Sequence, residues 1–342
     1  MSKKPTIAVT GGAGFIGSHT VVQLVEAGYE VVIIDNLSRS DRTMLDGISR
    51  ITKTTVPFYE VDCTDPKALD KVFLENSFDA VIHFAAYKAV GESVSMPLDY
   101  YENNILSLTT LLRVMNKHAV RSLIFSSSCT VYGEPDMVPV TEQSPIKLAN
   151  SPYGATKQMC ERILEDAKVY GIQAVSLRYF NPIGAHPSGL LGELPIGVPN
   201  NLVPFITQSA AGVRGSLTIF GNDYQTPDGT CIRDYIHVVD LADAHVRAFD
   251  FIRQQEEASG FHVFNVGTGR GVTVLEVVKE FEEVNKVKLN YSFGPKRPGD
   301  IEKVFADPSK AFKSLMWRPK FSMKEALQHA WQWEKNFRKI EQ

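Results

Sequence analysis

Tyr153 and Lys157, in the run Tyr-Gly-Ala-Thr-Lys, have the residue types and the spacing for moving a proton. On a helix, residues i and i+4 lie on one face, a turn apart. An ammonium beside a phenol favours the phenolate and lowers a tyrosine pKa from its reference near ~10. A tyrosine tuned in this way takes a proton from an alcohol near neutral pH. The spacing alone is common on surface helices. Its weight comes from two other features: Ser126-Ser127-Ser128 lies 25 residues before Tyr153, and a glycine-rich turn stands near the start of the chain.

That turn reads Thr10-Gly-Gly-Ala-Gly-Phe-Ile-Gly17. Gly11, Gly14 and Gly17, with Phe15 and Ile16 between them, follow one apolar run and open a helical one. Glycines at this spacing permit a tight turn and close approach of the backbone to a pyrophosphate at the positive end of a helix. Asp35 ends the next apolar run, 18 residues after Gly17. A carboxylate there accepts hydrogen bonds from adenosine ribose hydroxyls and repels a 2′-phosphate, which favours NAD over NADP. Arg39 and Arg42 lie nearby and act against that preference. Asp62, after the third run, is within reach of the adenine or is simply a solvated loop residue.

These groups need a scaffold, and the sequence predicts one. β-Branched runs at 7–9, 31–34, 56–60, 80–84, 123–125 and 174–177 alternate with helical stretches that include 66–75, 98–117 and 153–170. Continuous apolar strands alternating with helices read as a parallel sheet covered on both faces. Ser128 then projects from the carboxyl end of a central strand, where ligands of open α/β sheets bind; alternatively, the three serines cap the next turn. After Phe180 the texture changes. Residues 181–201 are rich in Pro and Gly and read as loop. Helices follow at 202–213, 239–253, 274–284 and 323–337, with brief strands between them. The expected architecture is an α/β, Rossmann-type doubly wound parallel sheet with a smaller mixed α/β lobe. The expected division is 1–180, with 239–265 packed back on it, against 181–238 and 266–342.

The chain has 342 residues, a formal net charge of −3, 44% hydrophobic and 22% charged residues. This balance argues against disorder and against broad electrostatic attraction to nucleic acid or an anionic membrane. No apolar run approaches the roughly 18 residues a spanning helix needs. The start, Met-Ser-Lys-Lys-Pro, has no signal h-region. Cys63, Cys129, Cys160 and Cys231 are widely spaced and fit reduced thiols in a cytoplasmic protein better than disulfides or a zinc site. The histidines form no HExxH and no metal set is expected; His237 and His245, framing a helix start, read as structural.

Together, glycine turn, strand-end serine and Tyr-x3-Lys describe a nicotinamide site: Tyr153 moves the proton, Lys157 tunes it and holds the nicotinamide ribose, and Ser128 bonds the substrate oxygen. The chain resembles the extended short-chain dehydrogenase/reductases and, among them, the UDP-galactose (UDP-glucose) 4-epimerases. The segments GGAGFIGSHT, DNLS, AVIHFAAYKAVGES, YYENN, FSSSCTVYG, YGATK, LRYFNPIGAHPSG, PNNLVPF, IFGNDYQTPDGTCIRDYIHVVDLADAH and RPGD carry the resemblance over nearly the whole length.

The resemblance implies NAD as cofactor and a UDP-sugar as substrate. Phe84, Ala85, Ala86, Lys88, Asn103 and Tyr179 would line the NAD site, with Asn36, Cys63 and Ser126 beside it. Lys88, Asn181, Asn201, Leu202, Thr218 and Phe220 would hold the substrate, and Arg233 and Arg297 would neutralise its diphosphate, with Tyr235 and Asp300 completing that wall. Read without the family, Arg233 is half of an ion pair with Asp234 and Arg297 is a solvated loop charge. The implied reaction oxidises the sugar at C4, turns the tethered 4-ketose over and reduces its other face. A homodimer is also implied, and apolar faces on the helices at 98–117 and 153–170 would suit its interface.

Two positions depart from the family pattern: Arg39 stands where a small polar residue is common, and Cys129 where alanine is common. Val304 occupies a position where a large aromatic narrows the sugar pocket, so acceptance of N-acetylated sugars is expected. A nucleotide-sugar dehydratase would need an Asp-Glu pair directly after Ser128, where Cys129 and Thr130 stand. A simple reductase or a non-catalytic NAD-binding protein are the other readings.

Overall fold

Residues 6–10, 30–35, 58–60, 80–83, 122–128 and 173–179 form the first six strands, β1 (Thr6–Thr10), β2 (Glu30–Asp35), β3 (Phe58–Glu60), β4 (Ala80–His83), β5 (Ser122–Ser128) and β6 (Gln173–Tyr179), in a computed structural model that describes residues 4–255, 260–297 and 300–340. Between them run α1 (Phe15–Glu26), α2 (Thr43–Thr52), α3 (Pro66–Glu75), α4 (Val90–Ser95), α5 (Pro97–Lys117) and α6 (Pro152–Asp166). Further on come β7 (Asn181–Ile183), α7 (Leu202–Ala210), β8 (Leu217–Phe220), β9 (Ile232–His237) and α8 (Val238–Arg253). They are followed by β10 (Gly260–Val266), β11 (Gly271–Thr273), α9 (Val274–Asn285), β12 (Tyr291–Gly294), β13 (Lys303–Val304), α10 (Ser309–Ser314) and α11 (Met323–Arg338).

The main sheet has seven strands in the order β10-β6-β5-β4-β1-β2-β3, every pair parallel. The order reverses between β1 and β4, which opens a crevice beyond their carboxyl ends. Strand alternation feeds two cores. Ile7, Val9 and Ile33 pack with Val21 and Val22 of α1 and Phe249 of α8. Ala8, Val32 and Val81 pack on the other face with Leu69 of α3, Leu108 of α5 and Leu164 of α6. Each such side chain contributes about 1.5–3 kcal/mol when fully buried, so the sheet is a stiff platform for its strand ends.

The elements after β6 build a third core, in which Val203 and Ile206 of α7, Phe281 of α9 and Leu327 of α11 meet. A small sheet runs β11-β9-β13, with β7 also on β9, and β12 pairs with β8. Strand β10 lies in the main sheet, and α8 packs in the first core.

Four details differ from the sequence reading. The helix at 153–170 ends in a tighter 3-10 turn over Ala167–Tyr170. The strand at 56–60 keeps only Phe58–Glu60. Helices α2, α4 and α10 are additional. Asn181–Ile183 pairs with Tyr235–His237 rather than being loop, because the Pro/Gly-rich stretch first borders the small sheet. Beyond it, 184–201 carries only an isolated bridge between Ala185 and Gly192.

Candidate active site

The crevice is a cavity of about 390 Å³. Every residue expected at the cofactor lines it: Gly11, Gly14, Phe15, Ile16, Gly17, Asp35, Asn36, Asp62, Cys63, Phe84, Ala85, Ala86, Lys88, Asn103, Ser126, Tyr153, Lys157 and Tyr179. The glycine turn has no room for side chains. Gly11 adopts φ +68°, and a Cβ there would stand 2.7 Å from the Ala85 nitrogen; one on Gly17 would stand 2.2 Å from the Gly11 oxygen. Asp35 is fixed by its neighbours: one carboxylate oxygen accepts from Ala13 N at 3.0 Å, the other from Leu37 N at 2.9 Å and Ser40 Oγ at 2.8 Å. Arg39 reaches Glu92 at 3.0 Å and lies over the Tyr87 ring, and Arg42 pairs with Glu60. Both arginines are thus paired with glutamates at the solvent-exposed rim. Backbone cradle and fixed ribose carboxylate together fit a dinucleotide.

The start of α6 is well specified. Ser151 caps it by accepting from Gly154 N, and Pro152 occupies its first turn. Tyr153 and Lys157 follow on one face. On β5, side chains alternate: Ser126 and Ser128 line the cavity, while Ser127 faces Glu161 of α6. Ser128 lines the cavity with Tyr153, close enough to act on its phenol, and its Oγ accepts from Thr130 N at 3.2 Å, so that one residue both faces the crevice at a strand end and caps the next turn.

The phenol differs from expectation. Burial pushes the Tyr153 pKa up, and the Ser128 bond only partly opposes it. Lys157 Nζ donates to the Ser126 carbonyl at 2.6 Å and lies 5.8 Å from the centre of the Tyr153 ring. Its own pKa is lowered to about 8 by burial, with Cys160 and Glu161 acting in the opposite sense. With its ammonium given to the Ser126 carbonyl, Lys157 leaves desolvation as the largest influence on the phenol.

The expected substrate residues fall into two groups. Lys88, Ser128, Tyr153, Asn181 and Asn201 line the cavity. Arg233, Arg297 and Asp300 gather beyond it. Arg297 Nε lies 2.9 Å from Asp300, Arg233 lies 3.8 Å from the same carboxylate, and Arg297 stacks over Phe220 at 4.9 Å. Arg233 is not paired with Asp234, which is fully buried and accepts from Thr268, Gly269 and Ala306. Arg297 is likewise tied by Asp300 and Phe220 rather than simply solvated. Tyr235 stands opposite Asn181 in the small sheet, and Thr218 shares the exposed face of β8 with Phe220. Leu202, at the start of α7, packs on the third core. The two groups meet at Cys129, which lines the cavity and feels the Arg233 guanidinium; burial pushes its thiol up to about 11. Val304 is buried with Val131, Tyr132 and Phe180, and Cys129 packs in that cluster. The cavity wall is formed by Cys129 and Phe180 rather than by Val304 itself.

Three polar residues were missed. Glu193 accepts from Lys88 Nζ at 3.0 Å and Asn201 Nδ2 at 2.7 Å, joining two walls of the crevice. Glu161 and Arg178 form a buried ion pair at 2.6 Å behind β5. Only the i+4 continuation from Lys157 to Glu161 could have pointed to them. His237 and His245 are structural: His237 caps α8 by accepting from Val239 N, and His245 bonds Leu241 O and the Tyr179 hydroxyl. Among the described residues, no group of three or more His, Cys, Asp or Glu could hold a metal, and no helix is long and apolar enough to cross a membrane.

A doubly wound sheet, a dinucleotide cradle and a Ser-Tyr-Lys set at the strand ends define the class of an extended short-chain dehydrogenase/reductase. Consistent with that class, the family model described as GDP-mannose 4,6 dehydratase matches residues 8–330. UDP-glucose 4-epimerase of Bacillus subtilis is 50% identical over 330 residues, 96% of each chain. The crystal structure of UDP-glucose 4-epimerase from Bifidobacterium longum in complex with NAD+ and UDP superposes with a TM-score of 0.93 at 46% identity, covering 97% of this chain and 98% of that one. The Stenotrophomonas maltophila enzyme, with bound NAD and formylated UDP-arabinopyranose, gives 0.94 at 43% identity, covering 98% and 100%. The chain belongs to the UDP-glucose 4-epimerase family.

Proposed function

We propose that this protein interconverts UDP-galactose and UDP-glucose with NAD as its resident cofactor. The observation that carries the reading is the meeting of Ser128, Tyr153 and Lys157 on the wall of one glycine-cradled crevice. Bound there, NAD would supply the acceptor for the hydride leaving the sugar C4 and the donor for its return. Tyr153 accepts the proton of the 4-hydroxyl as the ketone forms and gives it back on reduction. Ser128 bonds the reacting oxygen, and Lys157 holds the nicotinamide ribose and favours the phenolate. Gly11, Gly14 and Gly17 admit the pyrophosphate, and Asp35 takes the adenosine ribose. Arg233 and Arg297 hold the substrate diphosphate, leaving the sugar free to turn over. Cys129 and Thr130 provide no acid–base pair for dehydration.

In this reading, 1–180 with 239–265 binds NAD, and 181–238 with 266–342 binds the UDP-sugar. The protein is cytoplasmic and homodimeric. Leu98 and Leu106 on α5 and Met159 on α6 are 78%, 41% and 45% exposed, an apolar face that a second copy would cover. The test is incubation of the purified protein with UDP-galactose. UDP-glucose should accumulate without added NADH, and no turnover by NAD-loaded protein would sink the reading.

A second reading extends the substrates to UDP-N-acetylglucosamine and its galactosamine epimer. It rests on the small Val304 packed with Cys129 and Phe180 of the cavity wall. Val304→Tyr should push that wall inward, suppress turnover of N-acetylated sugars and spare UDP-galactose. An equal fall on both sugars removes Val304 from specificity.

A further inference from the structure

Glu161 is one helical turn beyond Lys157, as Lys157 is beyond Tyr153. Its side chain points at the sheet rather than the crevice, yet it is ionisable and only 4% exposed. Four hydrogen bonds converge on it. Oε1 accepts from Ser127 Oγ at 2.7 Å, Ser176 Oγ at 2.8 Å and Arg178 Nε at 3.0 Å, while Oε2 accepts from Arg178 Nη2 at 2.6 Å. The donors come from β5 and β6. Arg178 continues the network to the Tyr132 hydroxyl at 3.0 Å, and Tyr132 donates to Asn265 of β10 at 2.5 Å. One carboxylate therefore ties the catalytic helix to three adjacent strands.

The placement of these bonds bears on the chemistry. Ser127 lies between Ser126, whose carbonyl holds Lys157, and Ser128, which shares the cavity lining with Tyr153. A strand turns successive side chains to opposite faces. Fixing Ser127 inward thus fixes Ser126 and Ser128 outward, and does so from the helix that carries their two partners. An apolar pair of similar volume would pack the same space at lower desolvation cost, so stability alone does not account for a buried charge pair here.

We infer that Glu161, locked to Ser127 and Arg178, is the positioning residue of the catalytic set: it fixes the register of the Tyr153–Lys157 helix against the Ser128 strand and keeps a negative charge one turn from the Lys157 ammonium. The inference rests on the reading of Tyr153 and Lys157 as the proton-transfer pair. Other titratable groups facing Lys157 are Tyr153 and Cys160 on its own helix and His83 on β4. Burial holds His83 neutral and pushes the Cys160 thiol and the Tyr153 phenol up, so both stay protonated, leaving Glu161 as the anion acting on the ammonium.

Two variants of the NAD-loaded enzyme test this. Ser127→Ala removes one strand bond and keeps the ion pair. It should lower kcat for UDP-galactose about 5- to 10-fold, with KM, NAD content and melting temperature near wild type. Glu161→Gln keeps the shape and removes the charge. It should shift the alkaline limb of the kcat–pH profile, and the titration of the Lys157 side-chain nitrogen followed by NMR, to lower pH by roughly half to one unit. Wild-type kcat in Ser127→Ala, or an unmoved limb and an unmoved Lys157 titration in Glu161→Gln with the loss confined to melting temperature, overturns the inference. If Glu161→Gln does not fold, Ser127→Ala decides alone. A wild-type protein without turnover would defeat the functional reading instead, and the Lys157 titration would still decide the role of Glu161.

Discussion

The two ends of the crevice are built from different materials. The proposed cofactor end is backbone: Gly11 and Gly17 leave no space for a Cβ, and Asp35 is fixed by two main-chain N–H groups and a serine. The proposed diphosphate end, just beyond the cavity, is side chain: Arg233 and Arg297 share Asp300 and come from a strand and a loop about 60 residues apart. Arg297 is half exposed. A backbone cradle cannot adjust, which suits a ligand that stays. Long guanidinium arms can, which suits one that must arrive, turn over and leave. Substitutions at the two ends should accordingly separate cofactor retention from substrate affinity.

The largest effect belongs where the ends meet. Tyr153→Phe removes the proton carrier and should lower kcat by about 10²–10⁴-fold, with NAD still bound. Activity near wild type would take the proton step away from Tyr153. Next comes the rigid end. Gly17→Ala places a methyl 2.2 Å from the Gly11 oxygen. Overpacking of about 1–3 kcal/mol should reduce NAD affinity by roughly 10- to 100-fold, measured as NAD retained after purification. Full NAD content in that variant would show that the cradle yields.

The adjustable end should respond more gradually. Arg233→Ala removes a guanidinium whose side chain is 15% exposed and should raise KM for UDP-galactose about 10-fold or more. Arg297→Ala, at 52% exposure, should raise it only a few-fold. NAD content should stay at the wild-type level in both. A loss of NAD comparable to that in Gly17→Ala would erase the distinction between the ends.

The same contrast explains what the sequence made legible. Motifs expected at the cofactor are contiguous, and their chemistry follows from glycine spacing and a strand-end acid, so all of those residues reappear around one cavity. The sheet was legible for a similar reason, since runs such as Ile7–Val9 are apolar on both faces. Groups whose partners are set by tertiary packing were not. Glu193 meets Lys88 across 105 residues, and Arg178 of β6 meets Glu161 of the helix packed against it. Arg233 was misassigned without the family because Asp234, next in sequence, points to the opposite side of its strand. Helix spacing likewise reveals the lysine beside Tyr153 and not the burial that pushes the phenol's pKa up.

Histidines offer the smallest test per residue, and they probe the rigid platform beneath both ends. His19 and His83 are held near 3 by burial, His245 near 4 and His237 near 2. His83 lies under the glycine turn, with Nδ1 2.7 Å from Thr10 Oγ1, and His237 caps α8. In the unfolded chain each titrates near ~6.5. Between that value and its folded pKa, each binds a proton only when unfolded, so stability is full above about pH 6.5 and falls as the pH drops below it. Each contributes a slope of up to about 1.4 kcal/mol per pH unit. Urea unfolding at pH 7.5 and 5.5 should therefore show a lower midpoint in acid. Replacing His83 by Gln should remove roughly one histidine's share of that slope. An unchanged slope would mean that His83 is protonated in the folded protein, and that the platform under the glycine turn is wetter and less rigid than its packing implies.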